Sequence, residues 1–265
     1  MKLKAATFNC NGIRARLPIL LDWLKENSPD VLCLQETKVQ DNDFPLEAIK
    51  DAGYFVSFWG QKSYNGVAIL TRREPSQVIK GLPGAQADQE ARAIAVLLDG
   101  VWVVDTYVPQ GREVDDPAFK YKLDFLARLY DWFAKDFAVD QPFLWAGDFN
   151  IAPGPLDVYD PKRMEGKVCF HPAEHKALAR VVEWGLTDLF RLHHPEEKQF
   201  TFWDYRLPAS LKRNLGWRLD HLMATRPLAQ ACKACWVDVG PRALPKPSDH
   251  TFVLAEFELS DKELN

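Results

Sequence analysis

The sequence contains no hydrophobic run long enough to cross a membrane. No apolar stretch reaches the roughly 18 residues that a spanning helix needs. The first twelve residues, MKLKAATFNCNG, carry lysines but no apolar core of the kind that a secretory signal requires before Asn9. These absences argue against membrane-spanning and exported classes, so we expect a soluble, cytoplasmic protein without a membrane partner.

Cysteine is sparse, and its number is odd. The five cysteines lie mostly inside apolar runs, which argues against a secreted disulfide framework and favours reduced thiols. The CKAC segment, Cys232 to Cys235, is compatible with redox chemistry or half of a zinc site, but no second cysteine pair or histidine spacing completes it. We expect this pair to be structural.

A strong positive charge is also missing. The formal net charge of −4 argues against a protein wrapped in nucleic acid, although the distribution of charge matters more than the sum. Within residues 200–218 a single acid, Asp204, accompanies four cations: Arg206, Lys212, Arg213 and Arg218. This basic, aromatic segment is either a nucleic-acid contact or an ordinary solvated loop.

No low-complexity linker divides the 265 residues, and we predict a single domain over residues 1–265. Strand-like runs at 3–8 and 31–34 flank a helical pattern at 17–27. After a short helix at 46–52, further strands are predicted at 54–59, 67–71, 93–98 and 101–108. Their density favours antiparallel pairing in an α/β fold with two sheets covered by helices.

The strongest helix signal follows Asp115, Asp116 and Pro117, because an acidic N-cap and a proline at the first position start helices. Apolar residues spaced by three or four then predict one buried stripe: Phe119, Leu123, Leu126, Tyr130, Phe133 and Phe137. Further along, the pattern predicts a strand at 143–146, a helix at 173–184, and strands at 219–224, 236–239 and 251–257.

The segment LWAGDFNIAP changes abruptly from apolar residues to Asp148 and Asn150. If the strand continues through Asn150, alternation points both polar side chains to one face. An Asx turn is the alternative, because Asp and Asn readily bond their own backbone. The first half of the chain echoes the pattern in VLCLQE, which places Glu36 and Asp148 at comparable strand ends.

Polar residues follow apolar runs at several points of the chain. They are Asn9 and Asn11 in FNCNG, Glu36 in LQETK, Tyr107 in DTYVPQG, Asp148 and Asn150 in GDFN, Asp220 and His221 in RLDHL, and Ser248, Asp249 and His250 in KPSDH. Carboxylates gathered in one cleft repel one another unless a cation neutralises them. Oxygen-rich, thiolate-free ligands suit Mg²⁺ or Mn²⁺ beside a substrate phosphate. The set therefore predicts a metal site in which a carboxylate and an imidazole activate water.

The two histidines of this set are expected to differ. Asp249 directly precedes His250, but adjacent side chains diverge in an extended segment, so Asp220 is the better partner for His250. His221 lies beside an apolar run, and we expect it to be structural.

A set of motifs occurs in one order across nearly the whole chain: FNCNGIRAR, PDVLCLQETK, YVPQG, GDFNIAP, TFWDYR, GWRLDHL and KPSDH. Together they resemble exonuclease III and its relatives, the abasic-site endonucleases of base-excision repair, in the endonuclease/exonuclease/phosphatase superfamily. The resemblance implies a four-layer α/β sandwich of the DNase I type. In that fold two packed mixed β-sheets are flanked by helices, and a divalent metal lies at their shared rim.

The resemblance also implies a metal shell. Glu36 looks like the main metal ligand, with Asn9 and Asn11 in the adjoining network, and Asp249 would serve the metal or its water shell. Some relatives carry Asp where this chain has Asn11, so the shell here is not purely carboxylate. Mg²⁺ is the implied ion, with Mn²⁺ able to substitute.

The implied catalytic residues are five. Asp148 resembles the residue that orients or deprotonates the attacking water, and Asn150 would position that water and the phosphate. Tyr107 would hydrogen-bond the scissile phosphate or the leaving oxygen. His250, oriented by Asp220, would contact a phosphate oxygen.

The resemblance also implies a role for the aromatic, basic segment at residues 200–218. Phe202, Trp217 and Leu219 resemble the apolar pocket that accepts an extruded sugar without its base, and Arg112 would track the DNA backbone. The implied reaction is Mg²⁺-dependent cleavage of duplex DNA 5′ to abasic sites, together with 3′–5′ exonuclease and 3′-end-cleaning activity. We expect a monomer with no obligate protein partner.

Two other functions remain open at this point. One is a phosphatase or lipid phosphodiesterase of the same superfamily, against which YVPQG, TFWDYR and GWRLD argue. The other is a DNA-binding module that keeps the fold without chemistry, which the retained Glu36, Asp148, Asn150 and His250 oppose. The balance between exonuclease and endonuclease activity depends on loop geometry, which these motifs do not determine.

Overall fold

The computed structural model describes residues 1–83 and 90–260, which include two six-stranded sheets. The first sheet contains β1 (Lys2–Asn9), β2 (Val31–Gln35), β3 (Phe55–Trp59), β4 (Val67–Thr71), β11 (Cys232–Asp238) and β12 (Phe252–Glu258). Its strand order is β11-β12-β1-β2-β4-β3, with β1 and β2 parallel and the other neighbours antiparallel. The first and the last strand of the described residues are therefore neighbours in one sheet.

The second sheet repeats this pairing pattern. It contains β5 (Gln77–Lys80), β6 (Ala93–Leu98), β7 (Val101–Tyr107), β8 (Phe143–Asp148), β9 (Leu186–Asp188) and β10 (Asp220–Thr225). The order is β5-β6-β7-β8-β10-β9, and here β7 and β8 form the central parallel pair. The strand-end echo in the sequence thus corresponds to two sheets of the same topology.

Helices cover the outer faces of the two sheets and also pack into the layer between them. They are α1 (Ile13–Asn27), α2 (Leu46–Asp51), α3 (Pro117–Asp136), α4 (Pro161–Met164), α5 (Pro172–Val182), α6 (Leu189–His193) and α7 (Arg226–Ala231). The crossover between the parallel strands runs through α1 in the first sheet and through α3 in the second. Among the described residues, no helix is both long enough and apolar enough to traverse a bilayer.

Buried apolar residues form three main layers of packing. A central cluster between the sheets includes Leu3, Val103 and Leu144, all at most 2% exposed. One outer cluster joins the first sheet to α1, and another joins the second sheet to α3 and α5. Helix, sheet, sheet and helix are therefore stacked in that order, which confirms the predicted four-layer α/β sandwich.

Helix α3 begins where the sequence predicts. Asp116 is the N-cap and its side chain accepts a hydrogen bond from the Ala118 amide at 2.8 Å, with Pro117 in the first turn. The buried face differs from the predicted stripe, because Leu123, Tyr130 and Phe137 are half-buried and Phe137 lies just past the end of the helix. The face turned to the core contains Phe119, Lys122, Phe125, Leu126, Leu129, Trp132 and Phe133.

Several element boundaries differ from the sequence prediction. Helix α1 starts four residues before the predicted position 17, and Pro18 lies inside it. Strand β11 begins at Cys232 rather than at residue 236. The short strands β5 and β9 were not predicted, because four and three residues are too few to show a clear period.

Candidate active site

Four strands end at one common rim of the two sheets. β1 ends at Asn9, β2 ends beside Glu36, β7 ends at Tyr107, and β8 ends at Asp148. Because each sheet has its parallel pair at its centre, the carboxyl ends of these strands lie together, where open α/β sheets commonly bind ligands. Asp220, at the start of the antiparallel strand β10, is in register with Asp148.

Asn9 joins the two sheets at this rim. Its Nδ2 atom donates to Glu36 Oε1 at 2.9 Å and to Asp148 Oδ2 at 2.8 Å. Its Oδ1 atom accepts from the Asn11 amide at 3.0 Å. One buried side-chain amide therefore sets the spacing between the acid of the first sheet and the acid of the second.

The GDFN segment forms an Asx turn rather than a continued strand. Strand β8 stops at Asp148, and Asn150 has a φ of 50°, in the left-handed region that Asn tolerates. The Asn150 amide donates to Asp148 Oδ1 at 2.9 Å, and Asn150 Nδ2 donates to Asp148 Oδ2 at 3.2 Å. The two polar side chains do converge, but through the turn and not through strand alternation.

Gly147 permits the close approach of β7 and β8 just before Asp148. Its φ is 138°, and a Cβ atom there would lie 2.0 Å from the Thr106 carbonyl oxygen. A side chain at this position would therefore displace the strand that carries Asp148.

His250 lies between two carboxylates. Its Nδ1 atom is 2.8 Å from Asp220 Oδ2, as the sequence predicted, and its Nε2 atom is 3.7 Å from Asp148 Oδ2. Burial alone would lower the pKa of His250, but Asp220 and Asp148 raise it to about 10. The imidazole is therefore charged at neutral pH.

Asp148 is a buried carboxylate whose pKa is raised above its ordinary value. Burial raises its pKa to about 7; the charge on His250 opposes this rise, whereas Asp220 and Glu36 add to it. A carboxyl group that ionises near neutral pH is suited to accept a proton from water.

Lys38 is a site residue that the sequence reasoning did not single out. Its ammonium nitrogen lies 2.6 Å from Glu36 Oε2 and also donates to Asn11 Oδ1. Asn11 Nδ2 in turn donates to Asp249 Oδ1 at 2.9 Å. Burial opposes ionisation of Glu36, but the Lys38 charge outweighs it and lowers the pKa of Glu36 below its ordinary value. The signal was present in LQETK, where Lys38 lies two residues after Glu36.

The donor set fits a metal bound through oxygen. Among the described residues, one cluster of three potential ligands has its ligand atoms within 4.8 Å of one another: Glu36, Asp148 and His250. The carboxylate oxygens of this cluster are donors of the kind that hard divalent cations prefer. The residues present are therefore compatible with a divalent ion.

Tyr107 completes the rim on the side of the second sheet. It lines the same cleft as Glu36, and Arg92 lies over its ring at 4.8 Å from the centroid. Burial raises the pKa of Tyr107 well above its usual value, and the negative charges of Glu36 and Asp148 raise it further. The phenol therefore keeps its proton and remains a donor.

A cleft of about 800 Å³ opens in front of these residues. Its lining combines site residues with the predicted apolar and basic ones: Glu36, Tyr107, Arg112, Asn150, Phe202, Trp217, Leu219, Asp249 and His250. Phe202 is bridged through its backbone to both Trp217 and His250, and the rings of Phe202 and His250 are 4.8 Å apart. The apolar wall is thus built directly against the imidazole.

The basic segment divides into surface and buried cations. Lys212 and Arg213 are exposed, and Arg206 forms an ion pair with Asp204 at 2.7 Å. Arg218 departs from the predicted basic surface, because it is 1% exposed and bonds Asp157 and Asp188. Its burial has a clear cause, since two carboxylates from distant parts of the chain neutralise it.

His221 and the CKAC pair lie away from the cleft lining. His221 is buried, with Nδ1 3.1 Å from an Arg218 nitrogen and Nε2 3.0 Å from the Ile151 carbonyl oxygen. These contacts agree with the structural role expected for it. Cys232 and Cys235 are free and buried, and Cys232 Sγ lies 3.3 Å from His193 Nε2.

The fold and the site are those of a hydrolase, with two packed sheets that carry carboxylates, amides and an imidazole at a common rim. The chain belongs to the Endonuclease/Exonuclease/phosphatase family, whose sequence profile matches residues 6–250. Within it, the chain is 36% identical to exodeoxyribonuclease III of Haemophilus influenzae, over 97% of this chain and 100% of the relative. The motifs had indicated this group, exonuclease III and the abasic-site endonucleases. The protein is accordingly a hydrolytic nuclease.

Solved structures agree with this assignment. An AP endonuclease from Archaeoglobus fulgidus has a TM-score of 0.94 at 44% identity, covering 97% of this chain and 100% of that one. The 3′ phosphatase NExo from Neisseria, bound to a product DNA hairpin, has a TM-score of 0.93 at 38% identity, with 97% and 99% covered.

Proposed function

We propose that this protein hydrolyses the phosphodiester bond 5′ to abasic sites in duplex DNA, leaves a 3′-hydroxyl, and also removes nucleotides and blocking groups from 3′ ends. The observation that carries the proposal is a single cleft in which Asn150 and His250 adjoin the apolar wall of Phe202 and Trp217. The relatives support it, because they include an exodeoxyribonuclease III, an AP endonuclease and a 3′ phosphatase.

In the proposed reaction, Asp148 accepts the proton of the attacking water, and Asn150 orients that water through the turn that holds both side chains together. His250 donates from Nε2 to a phosphate oxygen, since Asp220 occupies Nδ1 and the ring is charged. Tyr107 donates its hydroxyl proton in a hydrogen bond to the phosphate or to the leaving O3′ atom. These donors meet negative charge as it develops on the phosphate.

We propose Mg²⁺ as the physiological ion, with Mn²⁺ able to replace it. Glu36 would be its main ligand, Asn9 and Asn11 would lie in the adjoining network, and Asp249 would serve the ion or its water shell. When bound, the ion supplies Lewis-acid stabilisation of charge on the phosphoryl oxygens. Lys38 neutralises part of the Glu36 charge and therefore keeps the donor group ionised.

The apolar wall gives a physical basis for selecting abasic sites. Phe202, Trp217 and Leu219 offer a surface to a deoxyribose that carries no base, so no base has to be unstacked or accommodated. Arg112 is exposed at the cleft margin, 4.0 Å from Asp116, where it would contact the DNA backbone.

The remaining proposals concern the whole chain. We propose that residues 1–265 form one catalytic domain that acts as a monomer in the cytoplasm without an obligate protein partner. Five free cysteines, all buried, are compatible with a reducing compartment. Size-exclusion chromatography with light scattering tests the monomer, for which the expected mass is 30.3 kDa.

A three-substrate assay tests the function. The protein is incubated with an abasic duplex, an intact duplex and a duplex with a recessed 3′ end, each with Mg²⁺ and with excess chelator. We expect incision at the abasic site and shortening of the recessed end, both abolished by chelator. Binding without metal-dependent cutting would indicate a DNA-binding module, and turnover of an inositol phosphate in place of DNA would indicate a phosphatase.

A further inference from the structure

Lys122 occupies a position that helix periodicity assigns to the core. It lies on α3 among Phe119, Phe125 and Leu126, and its side chain is 0% exposed. Its partner Glu174, on α5, is also 0% exposed. A buried ion pair seldom adds stability relative to apolar residues, because the desolvation of both charges opposes their attraction. The pair therefore calls for a role other than stability.

The Lys122 ammonium group meets three acceptors. It donates to the Asn150 carbonyl oxygen at 2.7 Å, to the Gln110 carbonyl oxygen at 3.2 Å, and to Glu174 Oε1. An ammonium group has three donors, so its hydrogen-bonding capacity is filled. Both carbonyl groups belong to residues that line the cleft.

Glu174 connects the same cation to a third loop of the cleft. Its two oxygens accept from the amides of Cys169 at 3.1 Å and His171 at 3.0 Å. The Cys169 carbonyl oxygen then accepts from the Ala152 amide at 2.8 Å, which closes the connection back to the segment that follows Asn150. Three loops of the cleft wall are thus held by one ion pair.

The geometry of Asn150 makes this connection relevant to chemistry. Its φ of 50° is a left-handed conformation, and its side-chain amide reaches Asp148 and the Val108 carbonyl oxygen. A charge-assisted hydrogen bond on its carbonyl oxygen fixes the orientation of the peptide that carries this side chain. Loss of that bond frees the Asn150 amide to rotate away from Asp148.

We propose that Lys122, held by Glu174, is a positioning residue for phosphodiester hydrolysis, acting through the main chain of Asn150. This inference rests on the proposed function, in which Asn150 orients the attacking water. The Lys122 side chain is fully buried and does not line the cleft. Its removal should therefore lower kcat and leave KM for DNA nearly unchanged.

The test compares variants that separate positioning from stability. In the double variant Lys122→Met/Glu174→Gln both charges are removed together, and glutamine keeps one acceptor oxygen, which can serve one of the two amides, Cys169 or His171. We expect kcat on the abasic duplex to fall at least ~10-fold, because small displacements of a positioning group cost up to about 100-fold. KM is expected to change less than ~3-fold, since binding in the ground state is retained.

Thr225→Val is the matched control. Thr225 is also fully buried, and its hydroxyl donates to the Gln141 carbonyl oxygen at 2.6 Å and accepts from the Phe143 amide, at the end of β10 remote from Asp220. This variant should lower Tm without lowering kcat. A kcat in the double variant within about twofold of wild type, a factor worth only ~0.4 kcal/mol, would overturn the proposal, as would an equal loss of kcat in the control.

If the double variant does not fold, a second variant and a second measurement still test the proposal. Lys122→Arg keeps the charge and the pairing with Glu174, but its larger head group must shift the Asn150 peptide, so kcat should fall in spite of the retained charge. Hydrogen exchange of residues 149–152 in the protein without DNA needs no substrate, and we expect it to accelerate in both Lys122 variants but not in Thr225→Val. Unchanged exchange together with unchanged kcat refutes positioning by Lys122.

The two proposals fail in different ways. If the wild-type protein does not incise the abasic duplex, the proposed function fails, and kcat is compared on whichever DNA substrate the wild type cuts. The exchange measurement still decides on Lys122. If the wild type incises the duplex and the double variant does so at the same rate, only the role of Lys122 is lost.

Discussion

Asp148 shares one carboxylate oxygen among three neighbours. Oδ2 accepts from Asn9 and Asn150 and lies 3.7 Å from His250 Nε2. Asparagine has the same shape but cannot take a proton from water. We predict that Asp148→Asn lowers kcat on an abasic duplex by about 10³-fold, in the range of a lost general base, while the thermal midpoint stays within about 5 °C of wild type. Gel-resolved single-turnover cleavage and a melting curve measure the two quantities, and cleavage within ~10-fold of wild type would mean that another group takes the proton.

Glu36 is the acid that the first sheet contributes. Its carboxylate is held by Asn9 and Lys38, so glutamine can replace it with little change in volume. We predict that Glu36→Gln weakens Mg²⁺ and Mn²⁺ binding at least ~10-fold, because a neutral amide is a poor ligand for a hard cation. Isothermal titration with each ion measures the effect. Glu47→Gln, at an exposed position on α2, serves as the control and should bind both ions like wild type.

Strand β10 enters the sheet beside a buried cluster of charges. Arg218 precedes it and bonds Asp157, Asp188 and the ring of His221. Burial and, next, the Arg218 charge lower the pKa of His221 to about 4. The unfolded chain takes up this proton near its ordinary pKa of about 6.5, whereas the folded protein does not.

The difference in the pKa of His221 between the folded and unfolded states determines how the free energy of unfolding changes with pH. Because the pKa is lower in the folded state, the stabilising contribution of neutral His221 is complete above about pH 6.5 and is lost as the pH falls towards 4. We predict that wild type loses more free energy of unfolding over this pH interval than His221→Gln does. The difference between the two losses should be about 3 kcal/mol at most. Urea unfolding at a series of pH values measures both slopes, and parallel curves would contradict a buried neutral imidazole.

The elements of the fold were more predictable than the charges inside them. Strands with clear apolar runs and the Asp116 cap are local features, and the sequence shows them directly. Lys122 and Arg218 look like surface residues in the sequence, because the carboxylates that permit their burial come from other elements. The two carboxylates that pair with Arg218 are 61 and 30 residues away in the sequence, and the partner of Lys122 lies on a different helix. No local sequence pattern extends that far.

The polar side chains that converge at the rim could be named from the sequence, but Lys38 and the geometry of the rim could not. The strand-end polar residues were identified from their abrupt position after apolar runs, and the structure brings Glu36, Tyr107, Asp148 and His250 together. The sequence left two alternatives at Asn150, a continued strand and an Asx turn, because each of them explains why Asp and Asn follow an apolar run. The contact of Lys38 with Asn11 depends on how β1 and β2 align, which only the packed sheet defines.

The two sheets share one continuous layer of apolar residues. Leu144 on β8 is fully buried within it, together with residues from both sheets. We predict that residues 1–265 unfold in a single transition and that Leu144→Ala lowers the free energy of unfolding by about 2–5 kcal/mol without splitting it. Calorimetry and far-ultraviolet circular dichroism should give coincident curves. Two separate transitions would show that the sheets are independent units.

The bridge that Asn9 makes between Glu36 and Asp148 has a consequence for the chain while it folds. Its hydrogen bond to Glu36 lies within the first sheet, whereas its hydrogen bond to Asp148 exists only when the first sheet has docked on the second, since Asp148 belongs to the other sheet. A nascent, nicked or half-unfolded chain therefore carries only part of the machinery. Competence to cut DNA therefore depends on the packing of the two sheets against each other and not on either sheet alone.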